Sequence, residues 1–423
     1  MTDPARPPAE APAPFFRSRW VEPPAQVSGL EPTALPAGFR AAGAAAGIKP
    51  SGLDVGVLVS DEPRTVSAAR FVDSALLGAP VAVTSEGALD GLRAIVASSG
   101  NANVADGQRG IDTARASQEL AAGLLGVEAA QVGLASTGVI GRELPRERLL
   151  AGVREASGRL AGDSRDFCEA ILTTDRGPKR ACVEVELPSG TVRLAAQAKG
   201  AGMISPRFAT MFCFAQTDAA LEPDTADLLT GVCVKRSFDR ISVDGQLSTS
   251  DTVFLLANGA SGVRVEPESP GELALGEALD ALMRQLALEI VADGEGATRV
   301  GRVVVRGGSE LVEPVARAVA DSPLVKTALL GADPNFGRVL QAAGQAMAGR
   351  APFVVDVEIE GRQVVSGGTA LGLSRRELEE LAAAVDVPEV DLVLTLPGEG
   401  GETEVFFSDL GHDYVSINSE YTT

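Results

Sequence analysis

Histidine is nearly absent from this chain of 423 residues, which holds only His412. The imidazole that most often serves as the base for a hydroxyl or thiol nucleophile is therefore close to excluded. Cysteine is also scarce, and its four residues are scattered without a Cys-x-x-Cys pair. So few possible ligands predict no transition-metal site, and we expect the cysteines to be reduced, buried thiols.

Basic residues are outnumbered, 37 against 57 acidic ones, which gives a net charge of −20. Such a chain is a poor match for nucleic acid, and we expect no such partner. No apolar run reaches the roughly 18 residues that a membrane-spanning helix needs, so no membrane association is expected. The Pro- and Ala-rich start lacks the basic and apolar regions of a signal peptide. We therefore predict a disordered tail over residues 1–27 and a cytoplasmic protein.

The rest of the composition is that of a globular protein, with 45% hydrophobic and 22% charged residues. The length predicts two or three domains. Short strand patterns alternate with helical ones, the clearest helix being 272–292, where leucines recur at spacings of three and four. Pro188-Ser189-Gly190 predicts one hairpin turn, and Val243-Asp244-Gly245 predicts a second. The whole pattern predicts an α/β fold of layered sheets and helices.

A threonine stands at a junction of small residues, Ala209-Thr210, eleven residues after the Gly-rich turn that begins at Lys199. A threonine hydroxyl is a weak nucleophile unless a base stands beside it. With the imidazole solution nearly excluded, one route remains by which a threonine can carry its own base: the bond before it is cut, and its freed α-amine takes the hydroxyl proton. An α-amine titrates near pH 7.7–8.0, so it can act as a base close to neutrality. The segment predicts a self-cleaving acyl-transfer enzyme with an N-terminal threonine nucleophile.

Seven blocks of sequence carry a resemblance to a known family. The segment KGAGMISPRFATM (199–211), followed by TDA (217–219), resembles the self-cleavage junction of the ornithine acetyltransferases, or glutamate N-acetyltransferases, of arginine biosynthesis. The other blocks stand in the family's order: SSGNAN (98–103), STGVIG (136–141), TTD (173–175), DGEGAT (293–298), SPLVKT running on to DPN (322–335), and the terminal INSEYTT (417–423). Together they span roughly residues 48–423.

The resemblance implies the N-terminal-nucleophile-like fold of those enzymes and their two-step reaction. Thr210 takes the acetyl group from N2-acetyl-L-ornithine as an ester and then passes it to L-glutamate. Cleavage between Ala209 and Thr210 implies an α chain (28–209) and a β chain (210–423), the latter with a smaller C-terminal α/β domain at about 268–390. The family's assembly is a heterotetramer of two copies of each chain. No cofactor is implied, and acetyl-CoA is left open as a co-substrate.

The resemblance also implies the residues of the site. Thr137 and Gly138 match the family's oxyanion hole, with a hydroxyl and a backbone N–H as donors. The implied substrate-binding residues are Thr173, Lys199, Thr210, Glu295, Asn418 and Thr423. A cation with hydroxyl and amide donors suits an α-carboxylate, whereas Glu295 or the terminal carboxylate of Thr423 suits the side-chain amine. Which group meets which end of the substrate stays open.

Two alternatives to the acetyltransferase stay open at the level of sequence. An amidase or aminopeptidase with an N-terminal nucleophile would use water in place of glutamate as the acceptor. A divergent paralogue would bind amino acids or a partner without cleaving itself. The second alternative is favoured by Arg207-Phe208, which stand where the family usually has Asn-Met. Self-cleavage and acetyl exchange between ornithine and glutamate distinguish the three.

Overall fold

The computed structural model describes residues 15–205 and 211–420. This part of the chain forms seventeen strands and eleven α-helices. The strands are β1 (Val27–Gly29), β2 (Phe39–Ala44), β3 (Val55–Ser60), β4 (Val66–Phe71), β5 (Ala94–Asn101), β6 (Val132–Val139), β7 (Lys179–Leu187), β8 (Gly190–Lys199), β9 (Phe212–Thr217), β10 (Ile241–Ser242), β11 (Thr252–Ala257), β12 (Val300–Gly308), β13 (Asp356–Ile359), β14 (Arg362–Ser366), β15 (Thr369–Ala370), β16 (Glu389–Thr395) and β17 (Gly400–Ser408). The helices are α1 (Ala79–Ser85), α2 (Gly107–Leu125), α3 (Arg146–Ser157), α4 (Arg165–Ala170), α5 (Pro223–Arg236), α6 (Pro270–Ala292), α7 (Ser309–Ala320), α8 (Pro323–Leu330), α9 (Phe336–Met347), α10 (Arg375–Ala384) and α11 (His412–Glu420).

The described strands form three sheets. The first sheet has the order β1-β7-β8-β9-β11-β4, the second β2-β3-β5-β6, and the third β10-β17-β12-β16-β13-β14-β15. Strands β7 and β8 form the predicted hairpin, with Leu187 opposite Gly190. Strand β9 lies inside the first sheet, antiparallel to β8 and parallel to β11. The predicted mixed α/β class with layered sheets and helices is confirmed.

The first two sheets stack face to face between two layers of helices. Side chains from both sheets share one core, in which Phe254 of the first sheet packs with Leu58 and Ile95 of the second. The outer face of the first sheet packs on α5 and α6, and that of the second on α2 and α3. Because side chains alternate along a strand, β9 places Phe214 in the shared core and Cys213 in the core under α6. The four layers bury β9 on both faces.

Helix α6 begins and ends close to the positions that the leucine spacing predicts. Ser269 caps its first turn by accepting a hydrogen bond from the Glu272 N–H at 3.1 Å, and Pro270 fills the first helical position. Leu279, Leu282 and Leu286 are buried along one stripe. The helix ends at Ala292, and Glu295 lies in the loop that follows directly. Helix α6 thereby fixes the place where this carboxylate enters the site.

The third sheet carries its own core between Val303 and Phe407, covered by α7 and α9. Helix α6 packs in the core of the first sheet instead, against β7 and β8. The smaller C-terminal domain was expected at about 268–390. The buried residues of this core begin at Val303, which follows α6 and lies inside the expected range, and they continue to Phe407 of β17, past its expected end.

The N-terminal segment is more ordered than its composition predicts. Disorder was expected over residues 1–27, but residues 15–27 are described and Trp20 is buried. The Trp20 ring lies 5.4 Å from the Phe406 ring, and its Nε1–H donates to Asp391 at 3.3 Å. Several contacts fix the segment together: Val21 is buried in the core of the first sheet, Arg19 pairs with Glu360 and Asp391, and β1 pairs with β7. Their combined gain offsets the cost of ordering these residues. The expectation is wrong for residues 15–27.

The second predicted hairpin, across Val243-Asp244-Gly245, does not form. The residues before the turn, β10, pair in parallel with β17 of the third sheet, whereas β11 pairs with β9 and β4 of the first. The Asp-Gly pair therefore lies on a connection between two sheets. Among the helices of residues 15–205 and 211–420, none combines the length and apolar character needed to cross a bilayer.

Candidate active site

The parallel strands β5 and β6 end side by side and bring Thr137 and Gly138 to one edge of the second sheet. Thr137 lies opposite Ser99, and Gly138 lies opposite Gly100. Gly138 has a φ of 127°, and a Cβ atom there would stand 2.5 Å from the Gly100 carbonyl carbon. Only glycine fits this position without moving backbone. A hydroxyl and a backbone N–H without a side chain thus occupy neighbouring positions at the strand end.

Lys199 ends β8, at the corresponding edge of the first sheet. Its side chain is buried, and its Nζ lies 3.1 Å from Thr137 Oγ1 and 2.9 Å from Thr173 Oγ1. Burial lowers the pKa of Lys199, and the charge of Asp175 opposes this shift in part. The ammonium therefore connects two of the predicted site residues through hydrogen bonds to their hydroxyl groups.

The buried carboxylate of Asp175 organises the chain behind Lys199. Its Oδ1 accepts from Lys179 Nζ and from the Gly200 N–H, both at 2.7 Å, and its Oδ2 accepts from the Thr173 N–H at 3.1 Å. Burial alone would raise the pKa of Asp175, but the charges of Lys199 and Lys179 and these hydrogen bonds lower it to about 2. Asp175 offsets the charge of the buried cations Lys199 and Lys179. It also holds the backbone at Thr173 and Gly200 through hydrogen bonds.

Glu295 enters the site on the loop after α6. Its N–H donates to the Ala201 carbonyl at 2.8 Å, which ties this loop to the Gly-rich turn after β8. Its Oε1 accepts from the Thr174 hydroxyl at 2.8 Å, and its Oε2 accepts from Asn418 Nδ2 at 2.7 Å. A Cβ atom at Gly202 would stand 2.6 Å from the Glu295 carboxyl carbon. Gly202 thus leaves the space that this carboxylate occupies.

These residues line one cleft of about 200 Å³. Its walls include six residues that the resemblance assigns to the site, namely Thr137, Gly138, Thr173, Lys199, Glu295 and Asn418. They come from five separate blocks of sequence, and the fold brings them together. The remaining predicted residues, Ala209, Thr210 and Thr423, lie outside the described residues.

Asp244 and Tyr414 are among the residues of the cleft that were not predicted. Asp244 accepts from the N–H groups of Met203 and Ile204 at 2.7 and 3.0 Å, and Tyr414 donates its hydroxyl to Asp244 at 3.4 Å. Burial raises the pKa of Asp244, while the N–H groups of Gln246, Met203 and Ile204 oppose the shift. Burial and the nearby Asp244 charge raise the pKa of Tyr414 to about 12. From the sequence, Asp244 was predicted only as a residue of a hairpin turn, and nothing in its spacing indicated that it lines the cleft.

The cleft has the chemistry of an acyl-transfer site for a small amino acid. Thr137 and Gly138 present two donors to one edge, where a developing oxyanion can be stabilised. Lys199 supplies a positive charge, and Glu295 supplies a carboxylate that accepts from two neutral donors. Opposite charges in one small cleft match the two ends of a zwitterion. No cluster of histidine, cysteine and acidic side chains suited to a metal occurs within residues 15–205 and 211–420.

Comparison with known proteins identifies the family. The family model described as "ArgJ family" matches residues 40–423. The arginine biosynthesis bifunctional protein ArgJ of Symbiobacterium thermophilum is 42% identical over 377 residues, which cover 88% of this chain and 92% of that protein. The glutamate N-acetyltransferase of Methanocaldococcus jannaschii is 38% identical over 382 residues, or 87% of this chain and 94% of the relative.

Among solved structures, the ArgJ protein of Bacillus halodurans aligns with a TM-score of 0.45 at 31% identity, over 50% of this chain and 98% of the crystallised one. The family assignment depends on the sequence matches, which extend over nearly the whole chain. This chain belongs to the ArgJ family.

Proposed function

We propose that this chain is an acetyltransferase of arginine biosynthesis, which moves the acetyl group of N2-acetyl-L-ornithine to L-glutamate through an ester on Thr210. One observation carries the proposal: six of the predicted site residues, from five sequence blocks, line a single cleft that also holds a cation and a carboxylate. The names of the relatives, an arginine biosynthesis bifunctional protein and a glutamate N-acetyltransferase, support the same reaction.

In the proposed mechanism, self-cleavage between Ala209 and Thr210 first frees the Thr210 α-amine. This amine takes the hydroxyl proton while Oγ1 attacks the acetyl carbonyl carbon of the donor. The tetrahedral intermediate collapses, the bond from carbonyl carbon to N2 breaks, and the proton passes to the leaving nitrogen, so ornithine departs. The glutamate amine then attacks the acetyl ester by the reverse sequence, which releases N-acetylglutamate and restores the Thr210 hydroxyl.

The contact between Lys199 and Thr137 supports the assignment of the oxyanion hole. An ammonium is only a donor, so its hydrogen bond at 3.1 Å must be accepted by a lone pair of Thr137 Oγ1. The hydroxyl then keeps its own proton for donation. Together with the Gly138 N–H, that proton stabilises the negative oxygen of each tetrahedral intermediate. The loss of one such donor typically costs about 10²–10³ in rate.

The charged groups of the cleft suit the two ends of the donor. Lys199 has three N–H donors, two of which are directed at Thr137 and Thr173, so one is left for the substrate α-carboxylate. The Glu295 carboxylate retains acceptor sites beyond those that bind Thr174 and Asn418, and it can bind the ammonium at the end of the ornithine side chain. Thr423 remains the other candidate for that ammonium.

Three further features are part of the proposal. We infer a heterotetramer of two α and two β chains, which native mass spectrometry of the cleaved protein would test. We place the enzyme in the cytoplasm, where the four free, buried cysteines would stay reduced. Acetyl-CoA is proposed as a second acetyl donor, since the relative from Symbiobacterium thermophilum is called bifunctional. Release of free thiol from acetyl-CoA in the presence of glutamate would test this activity.

The experiment that tests the proposed function compares the intact mass of the wild type and of Thr210→Ala, followed by an acetyl-exchange assay. We expect two fragments from the wild type, separated between Ala209 and Thr210, and one chain from the variant. Labelled N-acetylornithine should then transfer its acetyl group only when glutamate is present. Release of acetate without glutamate would instead identify an amidase. A wild type that stays intact and transfers nothing would identify the non-cleaving paralogue.

A further inference from the structure

Lys49 lies on the connection between β2 and β3 and is not among the described residues that line the cleft. Its side chain is half-buried, and its Nζ donates a hydrogen bond to the Leu172 carbonyl at 3.0 Å. Leu172 and Thr173 share a peptide bond, so the oxygen that accepts this hydrogen bond belongs to the same peptide group as the Thr173 N–H. A lysine from a distant part of the chain thus contacts the backbone of a predicted substrate-binding residue.

The peptide group between Leu172 and Thr173 is held at both of its polar atoms. Its oxygen accepts from the Lys49 ammonium, and its N–H donates to the Asp175 carboxylate at 3.1 Å. Hydrogen bonds to charged groups are roughly twice as strong as those between neutral groups. Because a peptide group is planar, holding its oxygen and its nitrogen fixes its orientation and the position of the Thr173 Cα.

The Thr173 hydroxyl is directed by a second lysine. Its Oγ1 accepts from the Lys199 Nζ at 2.9 Å, since an ammonium can only donate. The hydroxyl therefore keeps its own proton for donation. In the proposed function Lys199 binds the substrate α-carboxylate, and a hydroxyl proton beside this cation suits the same carboxylate. Whether the proton reaches that carboxylate depends on where the backbone places Thr173.

The backbone from which the Lys49 side chain extends is held by a buried carboxylate. Asp54 accepts from the N–H groups of Ala46 and Ile48, both at 2.6 Å, and from the Lys49 N–H at 3.0 Å. The aliphatic part of the side chain packs against Gly100, where a Cβ atom would stand 2.7 Å from Lys49 Cγ. Gly100 thus leaves the space that this side chain occupies on its way to Leu172.

We propose that Lys49 is a positioning residue for substrate binding, which holds the peptide group before Thr173 so that the Thr173 hydroxyl meets the substrate α-carboxylate. The inference rests on the proposed function, because it needs Thr173 as a substrate-binding residue. Lys49 acts through Thr173 and not by contact with substrate. N2-acetyl-L-ornithine and L-glutamate each carry an α-carboxylate, so Lys49 should affect the binding of both.

Lys49→Met tests this role, because it removes the ammonium and keeps most of the aliphatic side chain. We expect the KM for acetylornithine and the KM for glutamate each to rise by about tenfold, the effect of one lost hydrogen bond to a charged group. The kcat should stay within about twofold, since the oxyanion donors Thr137 and Gly138 are unchanged. Self-cleavage at the wild-type rate would show that the variant folds. Wild-type KM values for both substrates would overturn the inference.

Arg148→Met is the matched control. Arg148 is exposed on α3, and its guanidinium donates to the Gly47 carbonyl, two residues before Lys49 on the same connection. The control therefore removes a cation that holds this connection and leaves the hydrogen bond to Leu172 in place. We expect wild-type KM values from it. Equal rises in both variants would overturn the inference, since the effect would then be a general loosening of the connection between β2 and β3.

The double variant of Lys49→Met with Thr173→Ala shows whether Lys49 acts through Thr173. Its KM values should match those of Thr173→Ala alone within about twofold, because the hydroxyl that Lys49 positions is already absent. Multiplied effects in the double variant would overturn the inference. They would show that Lys49 affects binding by another path.

Lys49→Gln replaces Lys49→Met if the latter does not fold. Its amide is polar but uncharged and has a shorter reach, so the same direction of change in both KM values is expected, and wild-type values would again overturn the inference. The proposed function and the inference fail in different ways. If the wild type neither cleaves nor transfers acetyl, the proposed function is wrong; if it does both while the Lys49 variant keeps wild-type KM values, only the role of Lys49 is wrong.

Discussion

The Lys199 ammonium and the Thr137 hydroxyl lie 3.1 Å apart at the ends of two strands that belong to different sheets. Lys199 ends β8 of the first sheet, and Thr137 lies near the end of β6 in the second. The two stacked sheets are thus joined by a hydrogen bond at the edge where the cleft opens. If the Lys199 ammonium orients the Thr137 hydroxyl as an oxyanion donor, its effect on the rate should depend on that hydroxyl.

Lys199→Met is expected to lower kcat by about 10²–10³, because the Thr137 hydroxyl loses the contact that directs its proton. Thr137→Ala should cause a similar loss. If Lys199 acts through Thr137, the double variant will be little worse than the more impaired single variant, since residues that act as a unit are not additive. Steady-state kinetics of acetyl exchange provides the measurement. Multiplied effects in the double variant would show that Lys199 acts independently.

Glu295→Gln is expected to remove charge while it preserves the hydrogen bonds. The amide oxygen can accept from Asn418, and the NH₂ group can donate to the Thr174 hydroxyl, which also accepts. The melting temperature should therefore stay close to that of the wild type, whereas the KM for acetylornithine should rise by roughly tenfold or more. An unchanged KM would show that a group other than Glu295 binds the substrate ammonium, and Thr423 would be the next candidate to test.

Gly138→Ala should abolish self-cleavage and acetyl transfer, because its Cβ would stand 2.5 Å from the Gly100 carbonyl carbon and would displace one of the two strands. Gly141→Ala is the control. Gly141 also has a positive φ, at 76°, but no atom lies within 4 Å of a Cβ built there. This control should lose only about 1 kcal/mol of stability and should keep its activity. Thermal unfolding and cleavage rates compare the two; equal activity in both variants would contradict the steric argument.

The stability of the protein should fall in acid as Asp175 becomes protonated. Its folded-state pKa of about 2 lies below the ordinary value of 3.8, so its contribution is present above about pH 4 and is lost as the pH falls through 2. The size of this contribution is about 2 kcal/mol. Denaturant unfolding of Thr210→Ala precursors, with and without Asp175→Asn, should show a difference in the free energy of unfolding that shrinks below pH 4.

The exposed ion pair of Asp227 with Arg70 is the control for this experiment, because the Asp227 side chain is 65% exposed. Asp227→Asn should change stability by less than about 1 kcal/mol at any of these pH values. A loss for Asp175→Asn that is constant from pH 7 to pH 2 would contradict a role for its charge and would indicate a packing defect.

The sequence predicted which residues meet in the cleft better than it predicted the connections between elements. Lys199 and Glu295 were assigned to the site because their local blocks resemble those of a known family, and both line the cleft in the structure. Their roles stay predictions. The hydrogen bond from the Met211 N–H to the buried Asp251 side chain depends on burial and on which atoms the fold brings together. Neither is encoded in a local pattern, so this contact could not be predicted from the sequence.

The two errors in the fold have a common physical cause. Asp244 and Gly245 have the residue types of a hairpin turn, but long-range pairing assigns the flanking strands to different sheets. Trp20 lies in a segment whose composition indicates disorder, yet its contacts with Phe406 and Asp391 and the pairing of β1 with β7 order this segment. Both outcomes are set by tertiary contacts that outweigh local preference, whereas the helix at α6 agreed because its apolar stripe was long.

The ladder between β8 and β9 runs from Leu194 opposite Thr217 to Lys199 opposite Phe212, across the two sides of the proposed cut. Self-cleavage would therefore divide the polypeptide without dividing the sheet. The two products would share a continuous hydrogen-bonded surface, and β9 would lie between a strand of the other product and β11 of its own. The fold of the mature enzyme would then consist of two chains, although it formed when the precursor was still a single chain. If the mature enzyme were unfolded, its two separate chains would have to associate again in solution before they could refold.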